Sequence, residues 1–395
     1  MTASPGDGSR AKGPLNGLRI LEIAGIGPAP FACMWFADMG AEVVRIERPD
    51  GAGPFPIDPG RDLLRRGRRI LPLDLKRPGA IRAVLKLLEK MDVLIEGFRP
   101  SVMERMGLGP DEVFARNPRL VYGRMTGWGQ AGPWAESAGH DIDYIAISGA
   151  LGAIGRRGAA PAVPLNLVGD FGGGAMYLIA GVLAALFERG RSGRGQVVDA
   201  AMVDGVAHLM TIVHSLDAMG LWRPERGGNL FDSGAPFYDA YETKDGRWLA
   251  VGCLEPQFYA EFLRLAGLAD EPACARQYDP GTWPAMRKAI AARIAGKTRE
   301  EWSAIFEGSD ACVAPVLDYR ESRDHPHMKA RGIYRESRTG IVMPEAAPRH
   351  SRTPGRAGEP TPARVPGAEV RALLAEYGLE ANEIAELIGS PDDDL

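Results

Sequence analysis

The stretch from Gly139 to Met176 carries the residues best placed to do chemistry: GHDIDYIAISGAL, an Ala-, Pro- and Arg-rich connector, then PLNLVGDFGGGAM. His140, one of six histidines in 395 residues, opens an expected helix beside Asp141, and Asp170 stands thirty residues later before a glycine-rich helix start. A histidine and a carboxylate on opposite faces of one substrate carbon can remove and return an α-proton. General bases contribute about 10²–10⁴-fold to such a step, so enolate stabilisation must supply most of the barrier reduction. Backbone amides beside His140 and Asp141, unpaired at a helix start and at the positive end of its dipole, can hold the forming oxyanion. Gly139 and the run Gly172, Gly173 and Gly174 are expected to let a ligand approach closely. The same residues also fit a quieter reading: His140 bonded to a neighbouring carbonyl, Asp170 as an N-cap, Asp141 and Asp143 as caps or partners. The residue pattern leaves both open.

Elsewhere the chain offers less. His208 and His214 lie on an expected helix, as packing or surface residues. His325 and His327 lack the Cys or E-x-x-H context of a zinc site, so no metal is expected. Neither a G-x-S-x-G elbow nor a Walker A loop occurs. The four cysteines, Cys33, Cys253, Cys274 and Cys312, form no C-x-x-C pair, which fits a reducing compartment. Cys312 is read as a buried structural thiol rather than a nucleophile.

The elements that position these residues begin at Leu18. LRILEIAG reads as a buried strand, GIGPAPFACMWFADMG as a turn and helix, and AEVVRIERP as a second strand, the opening of a doubly wound fold. Gly25 and Gly27, with Glu47 twenty residues on, would suit a nicotinamide cofactor. Pro30 at the third glycine position, and Pro28 before it, remove amides that a pyrophosphate needs, so neither NAD nor FAD is expected. Strands RRILPLDLK, DVLIEGFRP and RLVYGRMTGWG then alternate with helices, the short ones near Val102–Arg105 and Asp111–Arg116, giving a mainly parallel sheet. Ligands of such sheets lie beyond the carboxyl ends of the strands. Those ends carry Arg48, Leu75-Lys76, Phe98-Arg99 and Gly127-Trp128-Gly129. Each cation alone is an ordinary surface charge; their recurrence at one edge points to a phosphate-bearing ligand.

Further on come an apolar helix over Gly172–Arg189, a strand VVDAAM and a helix over Val203–Gly220. PFYDAYETKDGRWLAVGC reads as a hairpin, followed by helices from Glu255, over Trp283–Ala295 and over Arg299–Glu307, and a strand ACVAPVLD. The expected organisation is α/β: a tail over 1–13, a Rossmann-like doubly wound large domain over 14–224, a smaller α+β domain over 225–315, and a C-terminal segment over 316–395 that returns to the large domain. The apolar share of 45% and charged share of 25% are ordinary for a folded soluble protein. A net charge of -4 gives no reason to expect nucleic acid, and the basic run Arg61–Arg69 is expected as solvated or phosphate-facing surface. The N-terminus has no apolar h-region, and the apolar run Met176–Phe187 is too short to cross a bilayer. A cytoplasmic protein without membrane contact is expected.

The stretches PLNGLRILEIAGIGPAPFACM, GAEVVRIERP, LDLK, DVLIEGFRPSVMERMGLGP, RMTGWGQAGP, AGHDIDY, PLNLVGDFGGG, GRGQVVDA and DSGAPFYDAYETKDGRWLAVGCLEPQFY continue to GSDACVAPVL. Over roughly residues 14–350 the chain thereby resembles CoA-transferase family III, of the CaiB/BaiF type, and within it the α-methylacyl-CoA racemases. The resemblance implies an interlocked homodimer whose active sites lie between the large domain of one subunit and the small domain of the other. It implies interconversion of (2R)- and (2S)-2-methylacyl-CoA thioesters, with CoA as part of the substrate and no separate cofactor. His140 and Asp170 become the two bases, Glu255 supports His140 by a hydrogen bond, and Asp141 joins the catalytic set through its amide. The CoA moiety falls to Ile26, Arg48, Leu73, Asp74, Leu75, Lys76, Gly97, Phe98, Arg99, Arg105, Gly139, Ile142, Asp143 and Tyr144. Asp143 stands where relatives often have Asn, and acyl-chain preference is expected in the loop Arg156–Ala162. A family transferase, with Asp170 as the nucleophile of an acyl anhydride, is the alternative; His140 and Glu255 together favour the racemase.

Overall fold

The computed structural model describes residues 13–49 and 57–388. Residues 389–395 of the C-terminal segment, and all but the last residue of the N-terminal tail, lie outside the described residues. The chain divides into two compact units: the first takes the chain up to Ser148, Leu165–Leu209 and the chain from Lys329, the second Gly149–Pro164 and Met210–Met328. The boundaries thus fall at Met210 and Lys329 rather than near 225 and 316, and the loop Arg156–Ala162 goes with the second unit.

In the first unit β1 (Arg19–Ile23), α1 (Pro28–Asp38), β2 (Glu42–Glu47), β3 (Arg69–Pro72), α2 (Pro78–Leu88), β4 (Val93–Glu96), α3 (Val102–Arg105), α4 (Pro110–Arg116), β5 (Val121–Thr126) and α5 (Asp141–Ile147) follow in order. After the one-turn helix α6 (Ala150–Ala153) of the second unit, wide π-helical turns over Leu167–Ala175 run on into α7 (Met176–Ser192), then β6 (Val197–Ala201) and α8 (Met202–Leu209). Six strands form one sheet in the order β3-β2-β1-β4-β5-β6, every neighbouring pair parallel. The strand order reverses between β1 and β4, and a ligand crevice opens beyond the carboxyl ends of strands at such a point.

Successive side chains of the strands alternate between two cores. Leu21, Val44, Leu71 and Leu94 pack with α2 and the C-terminal helices Gly367–Glu376 and Ala381–Ile388. Ile20, Val43, Val93, Ile95 and Val121 pack with α1 and α7. The expected apolar helix is longer than its apolar run, because the π-helical turns and α7 form one helix of 26 residues. That is long enough to cross a bilayer; instead Leu178, Ile179 and Val182 of α7 are packed in the core on the sheet. The helix expected over Val203–Gly220 is two, α8 and α9 (Thr211–Ala218), broken at Met210 where the units divide.

The basic run is not solvated surface over its second half. Arg65, Arg66 and Arg68 are buried. Arg66 pairs with Asp38 at 2.6 Å, Arg65 with Glu47 at 2.7 Å, and Arg68 with the fully buried Glu22 at 3.2 Å, which Arg45 also engages. Guanidinium groups stay charged when buried and offer planar donors to several acceptors at once, so they fill this layer only with carboxylates beside them. Arg68 also donates to the Pro30 carbonyl and so ties the first turn of α1 to β3.

The second unit holds the expected hairpin, β7 (Tyr238–Glu242) antiparallel to β8 (Trp248–Gly252), with α10 (Pro256–Ala266), α11 (Trp283–Ile294), α12 (Arg299–Phe306) and an added antiparallel strand β9 (Val313–Pro315). Phe237, Phe262, Met286 and Trp302 fill its own core.

The glycine run after Asp170 serves packing rather than ligand approach. A Cβ on Gly173 would meet Val206 of α8 at 2.5 Å, and one on Gly205 would lie 1.9 Å from the Gly173 carbonyl oxygen. Helix α8 therefore rests directly on the π-helical turns. Gly205→Ala should cost about 1–3 kcal/mol by overpacking, read as a lowered urea midpoint. Gly190→Ala in α7, where nothing lies within 4 Å of the added Cβ, should instead be neutral or stabilising by up to about 1 kcal/mol.

Candidate active site

Two cavities open at the carboxyl ends of the strands. The first, about 680 Å³, is lined by Gly25, Ile26 and Gly27 after β1, Gly97, Phe98 and Arg99 after β4, Trp128 after β5, and Gly139, His140, Tyr144, Asn166 and Asp170. The second, about 610 Å³, is lined by Ile26, Arg48, Leu73, Asp74, Leu75, Lys76 and Phe98, together with Glu47 and Arg65. Gly25, Ile26, Ile57, Asp62 and Phe98 line both, so the cavities meet there. Most of the residues singled out by sequence thus converge. Arg105, Asp141, Ile142 and Asp143 line neither cavity, and Glu255 belongs to the second unit, exposed at the N-cap of α10.

The cations divide into two kinds. Arg48, Lys76 and Arg99 are exposed, and no ion pair among the described residues engages them. Arg45 and Arg65, a few residues away, are buried and paired to Glu47 at 3.2 and 2.7 Å. The first kind keeps its donors for an anionic ligand; the second holds the wall. The strand-end loops are themselves pinned. The Asp74 carboxylate accepts the Lys76 N–H at 3.0 Å, and the Glu96 carboxylate accepts the Phe98 N–H at 2.7 Å. Glu96 is held in turn by Arg124 at 2.9 Å, and Arg124 by Glu104 at 2.7 Å. Burial pushes the Glu96 carboxyl above its ordinary value against the pull of the Phe98 amide and Arg124. Glu96 and Arg124 escaped the sequence reading, although a charge inside VLIEGF and another inside VYGRMT were the signals available.

Asp170 sits inside the π-helical turns, not ahead of them, and is not an N-cap. Its Oδ2 accepts the Asn166 side-chain amide at 3.0 Å. The carboxylate lies against Gly27, whose φ of 68° and missing Cβ both matter, since a Cβ there would be 3.0 Å from Oδ2. Burial raises the Asp170 carboxyl above its ordinary value; the Asn166 hydrogen bond opposes this, the Asp141 charge adds to it, and His140 opposes it. The cap at this helix start is Asp141, whose Oδ2 accepts the Asp170 N–H at 2.7 Å.

His140 is exposed at the N-cap of α5, and its own N–H goes to the Asp143 carboxylate at 2.9 Å. Asp143 is therefore a cap, which removes the His140 amide from any oxyanion site and leaves those of Asp141 and Ile142, first-turn donors with no intrahelical partner. Tyr144 donates to the Gly139 carbonyl and packs edge-on to Trp128 at 4.7 Å. Its phenol is pushed up to about 12, by burial first and then by the Asp170 and Asp143 charges, against Arg99. Of the remaining candidates, His208 Nδ1 meets the Tyr177 hydroxyl at 2.5 Å, and His325 Nδ1 accepts the His327 N–H at 3.3 Å. Cys312 is exposed rather than buried, and its thiol is pushed up by desolvation and by Glu255 and Asp310, opposite to what a nucleophile needs.

The chain matches the sequence profile of CoA-transferase family III over residues 15–365. It is 44% identical to the alpha-methylacyl-CoA racemase of Mus musculus, over 94% of this chain and 96% of that protein. It is 30% identical to the succinyl-CoA--D-citramalate CoA-transferase of Chloroflexus aurantiacus, over 97% of this chain and 96% of that one. Its fold matches the crystal structure of a CaiB/BaiF family protein from Brucella suis with a TM-score of 0.78 at 23% identity, over 93% of this chain and 100% of that chain.

A raised carboxyl has a signed effect on stability. Because the folded state binds the Asp170 proton more tightly than the unfolded chain does, ionising Asp170 costs stability as pH rises from the ordinary carboxylate range through the raised one. Asp170→Asn removes that cost. Its unfolding midpoint in urea should exceed that of the unaltered protein at pH 7, and the difference should vanish at pH 3.

Proposed function

Because the chain belongs to CoA-transferase family III, we propose that it interconverts the 2R and 2S epimers of a 2-methylacyl-CoA thioester by 1,1-proton transfer through an enolate. The observation that carries this reading is that His140 and Asp170, the two proton carriers, line one cavity that adjoins the unpaired cations. The 44% identity to a racemase, against 30% to a transferase, supports it.

In the proposed reaction one base takes the C2 proton, and the electron pair moves onto the thioester oxygen as an enolate. The other base, already protonated, returns a proton to the opposite face, so the pair ends with its one proton on the other member. An Asp with raised proton affinity suits this exchange, because a base works best when its pKa approaches the working pH. The Asp141 and Ile142 amides are the donors for the enolate oxygen. Arg48 and Lys76 in the second cavity and Arg99 in the first take the phosphates of CoA. The same reading assigns Glu255 to hold His140 by a hydrogen bond within an interlocked homodimer.

The test is incubation of a pure (2R)-2-methylacyl-CoA in D₂O, followed by NMR. Deuterium should enter at C2 while the 2S epimer accumulates; an unlabelled C2 sinks the proposal. CoA appearing on an added carboxylate, with hydroxylamine trapping Asp170, would establish the transferase instead. His140→Ala and Asp170→Ala should each lower epimerisation by about 10²–10⁴-fold while CoA affinity, read by calorimetry, changes little. Arg99→Ala should do the reverse, weakening CoA binding and flattening its dependence on salt.

A further inference from the structure

Asp141 is only 7% exposed, yet its carboxylate has a single strong partner. Oδ2 accepts the Asp170 N–H at 2.7 Å, while the buried Oδ1 has no hydrogen-bond partner. The backbone at Gly169 presses on the same group, where a Cβ would come within 2.5 Å of Oδ2. Burying a carboxylate oxygen without a donor costs free energy that a neutral side chain would avoid, so the charge calls for a role. We propose that Asp141 is a positioning residue for the proton transfer: one oxygen fixes the main chain of Asp170 to the helix that begins at His140, and the other keeps a negative charge beside the Asp170 carboxyl. The inference rests on the reading of His140 and Asp170 as the two bases.

The geometry supports both halves. Asp141 follows His140 directly, so one side chain ties the backbones of both proton carriers across a separation of 29 residues. Asp62 and Arg99 line the same cavity as Asp170, and nearer groups act on its carboxylate directly. Asn166 donates to it, His140 favours its ionised form, and Tyr144 is a neutral phenol. From α1 comes Gly27, followed by Pro28 and Pro30, which have no N–H to give. Asp141 is the acidic neighbour among them, and its charge disfavours ionisation of Asp170. The arrangement keeps Asp170 able to carry a proton as well as to take one.

Two substitutions separate the roles. Asp141→Asn keeps an acceptor for the Asp170 N–H and removes the charge; Asp141→Ala removes both. With the full-length protein labelled with ¹³Cγ aspartate, and Asp170→Asn used for assignment, the Asp170 titration should move to lower pH in Asp141→Asn. The acid limb of kcat/KM for epimerisation, a property of the coupled pair, should move the same way. Asp141→Ala should also lose on the order of 10²-fold in kcat, the cost of about 1 Å of misplacement, with KM little changed. An Asp170 titration unmoved in Asp141→Asn, or an Asp141→Ala enzyme with unaltered kcat, overturns the inference. The titration needs no turnover, so an unaltered protein that fails to epimerise would count against the proposed function and leave Asp141 to be judged by NMR.

Discussion

The hydrogen bond from the Asp170 main chain to the Asp141 carboxylate is the constraint on which the site depends. Between the two residues the chain leaves the first unit for Gly149–Pro164 and returns at Leu165. The bond joins the two ends of that excursion and, with the packing of α5 on the π-helical turns and on α8, sets how the start of α5 stands to those turns. Both ends are further braced from within the unit. Asp143 caps His140, and α8 bears on the turns where only glycine at Gly173 and Gly205 permits it.

The sheet explains why a ligand site belongs at this edge. Parallel strands end together, and the order β3-β2-β1-β4-β5-β6 parts the loops that follow β1 and β4. The loops carry glycines and short polar turns, and buried carboxylates hold them from below, as Glu96 holds Phe98. Charge is sorted by depth. Arginines in the layer between α1 and the sheet are consumed by Glu22, Asp38 and Glu47, while those on the loops keep their donors for a ligand.

The sheet and its helices were legible in the sequence because apolar periodicity and glycine turns are local signals. The strand-end cations could be read for the same reason, since the edge on which they lie follows from the alternation of strand and helix. What escaped depends on distant partners. LVGDFGGGAM resembles a loop before a helix, whereas it winds into π-helical turns that lie against α8, some thirty residues on. Arg65, Arg66 and Arg68 look solvated until Asp38, Glu22 and Glu47 are brought beside them by the fold. Asp141 drew notice as a neighbour of His140, but its partner is a main-chain amide, which has no sequence signature. Cys312 was misjudged because the apolar run ACVAPVL suggests burial, whereas its backbone takes a left-handed turn of φ 52° at the surface.

In the proposed reaction His140 and Asp170 face one carbon from opposite sides. The most direct measurement is C2 exchange in D₂O with each pure epimer of a 2-methylacyl-CoA, catalysed by His140→Asn and by Asp170→Asn. Each variant retains one base, so each should exchange the C2 proton of one epimer without inverting it, and the two variants should act on different epimers. If both variants exchange the same epimer, or if neither exchanges any, the two residues do not serve as opposed bases.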